Sequence, residues 1–203
     1  MGRPSKIATA DIAAAALEMF GTRGLHATSI AAVAEKVGLT DAGLLHHFPN
    51  RAALLDATLR VGSERQLDRM RALVADGGLR AIRSMRVWGE VMTESPELAA
   101  FETLIGAEAV LENSTLRDWT QRRYHAVRGL VSGLIREGVD RGEIRRDVDP
   151  EREAYDLIAW LDGIRLQWLL SDPELDLGAA VAQHFDQLVA RLEAPGSDTP
   201  QAP

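Results

Sequence analysis

Thr40, Asp41, Ala42, Gly43 and His46 fall together on the outward side of one short predicted helix, and their chemistry suits reading a surface rather than reacting with it. A hydroxyl, a carboxylate and an imidazole supply donors and acceptors. Ala42 and Gly43 are small enough to let the backbone come close to base-pair edges, as a helix laid in a major groove requires. Basic residues that can meet phosphates flank the set: Arg3 and Lys6 in the arm Gly2-Arg3-Pro4-Ser5-Lys6, and Arg51 after it. Thr28 is expected to cap the first helix of the motif, which follows it, and to touch a phosphate. His46 and His47 are adjacent, so they diverge by about 100° around a helix and do not share a metal. His46 is expected to reach a phosphate; His47, in the same DNA-facing set, is expected to pack or bond beside Phe48. His26, His125 and His184 have no ligand-spaced partners, and no nucleophile with its base, phosphate loop or paired carboxylates is present. The sequence therefore points to no enzyme, no metal and no cofactor.

The elements that must hold these residues are legible in residues 28–48. Ile30, Val33, Ala34 and Val37 recur at helical spacing and give one apolar face. Gly38 follows, where a helix end favours a residue that tolerates a left-handed backbone. Leu39 returns to the core and Thr40 caps the next helix. Leu44, Leu45 and Phe48 are expected to bury one side of that second helix. Upstream, Thr9 is the expected cap of a helix whose Ile12, Ala16, Met19 and Phe20 share a face, with Gly24 beyond its end. Downstream, Pro49 breaks the chain and Asn50 is placed to cap a long helix carrying Leu54, Leu55 and Leu59. Two short helices joined by such a turn form a helix-turn-helix, whose second helix reads base edges. A helical hairpin that merely packs would share much of this pattern.

At this point the sequence resembles the TetR family of bacterial transcriptional regulators. The resemblance rests on Ala15, Leu17 and Phe20, on Gly24, Thr28 and Ala34, on Gly38-Leu39-Thr40, and on Leu44-Leu45-His46-His47-Phe48-Pro49-Asn50-Arg51 with Leu54 and Leu55. It covers roughly the first 60 residues; beyond them the chain matches only as a helical region of suitable length. Two positions depart from the pattern. Many members carry a tyrosine before the His-Phe pair, whose hydroxyl touches phosphate, where this chain has Leu45. The recognition helix often has glycine two residues after its cap, whereas Ala42 here precedes Gly43.

The 203 residues, 46% hydrophobic and 26% charged, are those of an ordinary globular protein with ample length for a core. There is no cysteine, no signal-like leader and no run of membrane-spanning length, so a cytoplasmic location without a membrane partner is expected. The net charge of -7 argues at first against nucleic acid, yet Arg3, Lys6, Arg23, Lys36, Arg51 and Arg60 outnumber the acids of residues 1–60 by one, leaving -8 on the rest. A weakly positive head on an acidic body suits docking by one end.

No strand pattern or repeat appears after residue 50, only helical segments near 50–74, 79–94, 97–110, 115–142, 149–171 and 176–193. The expected architecture is all-α: a three-helix helix-turn-helix domain over 1–50, a helical effector-binding and dimerisation domain over 51–193, and a disordered Pro/Gly/Ser-rich tail over 194–203. Leu157, Ile158, Leu161, Ile164, Trp168 and Leu169, then Leu177, Val181, Phe185, Leu188 and Leu192, form apolar stripes wider than one neighbour requires. Two ordinary core helices would account for them. The resemblance implies instead a four-helix bundle between two copies, with Leu161, Trp168, Val181, Phe185 and Leu188 at the dimer interface.

Met85, Trp88, Met92, Phe101, Trp119, Tyr124, His125 and Trp160 gather large adaptable side chains in the middle of the chain. Such a set is either filled core or the lining of a ligand pocket, and the resemblance implies the pocket. Together these features lead to a homodimeric regulator, a repressor on a near-palindromic DNA operator, released by a small-molecule effector through the helix that starts at Asn50. A helical ligand-binding or protein-interaction module without sequence-specific DNA binding is the alternative.

Overall fold

Apolar residues at three- and four-residue spacing and well-placed helix stops generate ten α-helices and no strand among the described residues, which are 7–111, 114–170 and 174–195 of a computed structural model. Arg3, Lys6 and all but the first two residues of the 194–203 tail lie outside them. In chain order the helices are α1 (Thr9–Arg23), α2 (Ile30–Lys36), α3 (Asp41–His47), α4 (Arg51–Leu73), α5 (Gly78–Ser84), α6 (Trp88–Thr93), α7 (Pro96–Glu108), α8 (Ser114–Asp140), α9 (Pro150–Leu170) and α10 (Leu177–Leu192). A 3-10 turn, Met85–Val87, joins α5 to α6. None of the helices is long and apolar enough to cross a membrane among the described residues.

The described residues divide into two compact units. One runs to Asp68 and takes in Ser95–Leu104; the other holds Arg69–Glu94 and the chain from Ile105 onward. The division falls inside α4, so this continuous helix contributes its first part to one unit and its last turn to the other. In the first unit α1 and α2 pack on one another and α2 packs on α3. Ile12, Ala16, Phe20, Val33, Ala34, Leu44 and Leu54 form the dry centre. Phe20 also stacks on Phe101 of α7, ring centroids 5.7 Å apart, which ties the first turns of α7 into this unit.

Three expectations are corrected here. The residue flanking α1 is Ala8, and Thr9 is already helical, with no side-chain cap. Ser29, not Thr28, caps α2: its hydroxyl oxygen accepts a bond from the Ala32 amide at 3.1 Å. Leu45 does not pack inward with Leu44 and Phe48. A helix turns 100° per residue, so Leu44 and Phe48, four apart, take the buried face and Leu45 is turned out, 42% exposed.

The second unit is built on α8, which packs against α9 and α5, while α10 packs against α5, the 3-10 turn and α6. The orphan amides at the start of α5 are met by carboxylates from the end of α8 and just beyond it, Gly78 N donating to Glu137 at 3.1 Å and Leu79 N to Glu143 at 2.8 Å. Asp149 caps α9 ahead of Pro150, accepting from the amides of Glu151 and Arg152. Asp176 caps α10, accepting from Ala179 N at 2.9 Å. Gly89 lets α6 approach α10 closely, because a Cβ there would come within 2.7 Å of the Leu177 carbonyl oxygen.

The α10 stripe of Leu177, Val181, Phe185, Leu188 and Leu192 is consumed by this core. Val181 and Phe185 are fully buried within the single chain and Leu188 nearly so. They cannot lie in a dimer interface as expected, since a side chain with no exposed surface has nothing to offer a second copy. Leu161 and Trp168 remain half-buried on α9.

Candidate nucleic-acid interface

The turn between α2 and α3 follows from a few backbone bonds. Gly38 takes φ +70°, its amide donates to Glu35 O at 3.1 Å, and the Leu39 amide donates to Ala34 O at 2.9 Å. This is the Schellman arrangement, in which a left-handed residue turns the chain and satisfies the last helical carbonyls. Ala34, fully buried, leaves room for α3 to pack on α2. Thr40 then starts α3, its hydroxyl oxygen accepting from Gly43 N at 3.1 Å.

With α3 so anchored, Asp41, Ala42, Leu45 and His46 are exposed together on its outer side. Thr40 is exposed beside them. Gly43 is not part of that side. A Cβ on it would meet Thr40 Oγ1 at 3.3 Å and Leu39 Cβ at 3.7 Å, so its hydrogen faces the turn, and a larger residue would press on the cap rather than project outward. His47 is half-buried, its Nδ1 lying 3.5 Å from Thr9 Oγ1 of α1, and its ring is 6.5 Å from that of Phe48. It braces α3 rather than facing out.

Thr28 and Arg51 both bond to the protein's own backbone, Thr28 from a buried position and Arg51 from the surface. The Thr28 hydroxyl is buried and donates to Gly24 O at 2.9 Å and Met19 O at 3.2 Å, tying the loop to the end of α1. The Arg51 guanidinium donates to Leu25 O and to Thr28 O and lies 5.8 Å from the Phe20 ring centroid. It holds the α1–α2 loop against the start of α4, where Asn50 caps by accepting from Ala53 N at 2.9 Å. Lys36 is paired with Glu18 at 2.6 Å. Among the described residues, then, α3 offers its reading face without a dense cationic rim.

These contacts give a first prediction. Arg51→Ala should lower stability in urea by about 1–3 kcal/mol, because it removes charge-assisted bonds to buried carbonyls. The salt dependence of DNA binding should keep its slope, since no phosphate contact is lost. Unchanged stability with a slope reduced by about one would restore Arg51 as a phosphate anchor.

The central cluster expected from sequence is dispersed. Met85, Trp88 and Met92 are buried in the α5–α6–α10 core, and Phe101 belongs to the first unit against Phe20. Trp160 stacks on His184 at 3.7 Å; burial, then the charge of Arg191, holds that imidazole below its ordinary pKa and therefore neutral at pH 7. His125 is exposed on α8. Trp119 is half-buried with Arg123 lying 6.0 Å from its ring centroid.

Only Tyr124 joins a polar group that sequence reasoning passed over. Its hydroxyl donates to Asp162 at 2.5 Å, and the nearly buried Arg165 donates to the same carboxylate at 2.8 Å. Burial, then that hydrogen bond, pushes the Tyr124 pKa up to about 12. One turn before it, Thr120 is buried with no partner for its hydroxyl. The Asp162-Arg165 spacing on α9 was the available signal, an acid and a base three residues apart on an otherwise apolar stripe.

Comparison with known proteins agrees with this geometry. The family model described as bacterial regulatory proteins, tetR family, matches residues 12–58, and the model for the C-terminal part of BetI-type transcriptional repressors matches residues 93–193. The HTH-type transcriptional regulator TtgR of Pseudomonas putida is 28% identical over 185 residues, covering 87% of each chain. A TetR transcription regulator of Haloarcula marismortui shares the fold with a TM-score of 0.80 at 20% identity, over 91% of this chain and 97% of that one. A transcriptional regulator of Saccharomonospora viridis, solved in complex with choline, does so with a TM-score of 0.78 at 23% identity, over 90% and 95% of the two chains.

Proposed function

We infer the function from one premise: the chain belongs to the TetR family of bacterial regulatory proteins, which regulate transcription and are not enzymes. The reading is a repressor that works in the cytoplasm, binds a near-palindromic operator as a homodimer, and releases it when a small molecule binds the second unit. One observation carries it: α3 is fixed by the Gly38 turn and the Thr40 cap with Asp41, Ala42, Leu45 and His46 presented outward. A second helix held in this way is what the helix-turn-helix inserts into a major groove. The test is retardation of a duplex from the gene's own upstream region, with a scrambled duplex as control. Equal affinity for both would remove operator reading.

The outward apolar side chains of α9 support the homodimer. Tyr155, Leu166 and Leu170 are all exposed, and Arg128 lies 5.0 Å from the Tyr155 ring centroid. They are spaced at whole turns of one helix, so a second copy related by a two-fold axis would cover them together. Continuous α4, from Arg51 to Leu73, offers the covalent route by which ligand in one unit biases the other. The effector must bind the DNA-released conformation more tightly for that to work.

For the effector, Thr120, Tyr124, Asp162 and Arg165 are the polar groups of the second unit best placed to orient a small molecule. Choline, bound by the Saccharomonospora relative, is the first compound to try, since quaternary ammonium groups favour aromatic faces. An effector should perturb tryptophan emission and weaken the operator complex by the same factor that operator weakens its own binding. A compound that binds while leaving operator affinity unchanged is no effector.

A further inference from the structure

We propose that Leu45 is a specificity-determining residue that takes the 5-methyl group of a thymine in each operator half-site. The proposal deepens the operator reading above and rests on it. A single exposed leucine is ordinary on a protein surface, so exposure alone would decide nothing. Its place does. Leu45 is 42% exposed, one turn after Asp41 and Ala42, on the flank of α3 between the buried face of Leu44 and Phe48 and the exposed Ala42 and His46. Ala42 lies three residues before it, so the two form a small apolar strip in the middle of the reading face.

The floor of the major groove is polar at nearly every position, with acceptors on guanine, donors on cytosine and both on adenine; its apolar feature is the thymine methyl. An apolar strip set among base edges therefore gains where a methyl meets it and leaves a polar edge without a partner elsewhere. The rest of α3 disfavours guanine at the base edges it meets. Asp41–His47 carries neither arginine nor lysine, so the usual bidentate donor to guanine is missing. The Asp41 carboxylate, exposed at the start of the helix, would repel the two acceptors of guanine and can accept from an adenine or cytosine amino group.

The test begins with the full-length chain selecting duplexes from a random pool. Thymines of the selected operator are then replaced one at a time by uracil, which differs only by the methyl, and each duplex is measured against the parent chain and Leu45→Ala. One uracil per half-site should weaken the parent about fourfold, the worth of one buried methyl-sized group. The same uracil should cost Leu45→Ala nothing, while the other uracils act equally on both proteins. Leu45→Ala must retain the parent's melting temperature, as its exposed position leads us to expect. A selected operator in which no uracil discriminates between the two proteins overturns the proposal and leaves operator reading intact. Failure to select any sequence overturns both.

Discussion

Phe185→Glu is expected to cost the protein its second unit altogether. Phe185 is fully buried on α10, in one core with Val181, Leu188, Leu79, Ile82 and Trp88. Phe→Ala in such a site already costs about 3–5 kcal/mol, and a carboxylate without a partner costs more. Set against a typical total of about 5–15 kcal/mol, the glutamate variant should lose near-ultraviolet circular dichroism and precipitate or melt far below the parent. Phe185→Leu, which keeps an apolar side chain, should recover most of the loss. A Phe185→Glu protein that melts within a few degrees of the parent, as a monomer, would instead place Phe185 in an interface and contradict the packing described above.

That contrast marks where sequence stops informing. The spacing of Leu177, Val181, Phe185, Leu188 and Leu192 shows that one face of α10 is buried, and it is. Periodicity says nothing about which chain buries it. Here α5, the 3-10 turn and α6 fold back over it, and Gly89 is what lets α6 come close enough. The Met and Trp residues show the same limit: residue type predicts burial but not direction, and Trp88 and Phe101 belong to different units.

In the reading motif more was legible. Gly38, Thr40, Ala34 and Asn50 all do what their chemistry implies, because each acts on backbone within five residues. Leu45 is a position that periodicity leaves open. Positions 44, 45 and 48 span about 100° of the helix, the width of an ordinary buried face; the pair four apart packs, and Leu45 falls at its margin, 42% exposed. Thr28 and Ser29 are adjacent hydroxyls with equal claims on the cap. What separates them is the carbonyls of Met19 and Gly24, which draw Thr28 inward. Arg51 is similar: its carbonyl partners Leu25 and Thr28 lie in a loop more than twenty residues earlier, so local spacing does not reveal that this surface cation also ties the loop to the start of α4.

The second large effect is expected from the α9 surface, with the opposite signature. Leu166 is 44% exposed and Leu170 78% exposed in the single chain, so Leu166→Glu with Leu170→Glu leaves both new carboxylates hydrated in the monomer. Changes at such positions ordinarily move stability by no more than about 0.5 kcal/mol. Inside a two-fold interface the same glutamates would face their own copies in a desolvated setting, where like charges repel strongly. The double variant should therefore sediment as a folded monomer with the parent's circular dichroism. Because each monomer then reaches only one half-site, operator affinity should fall by about 10²–10⁴-fold, with α3 itself untouched. Restoring opposite charge, by mixing this variant with Leu166→Lys and Leu170→Lys chains, should recover a heterodimer and much of the affinity. A double glutamate variant that remains a tight dimer on its operator would move the interface off this face of α9, and with it the geometry that sets the spacing of the two reading helices.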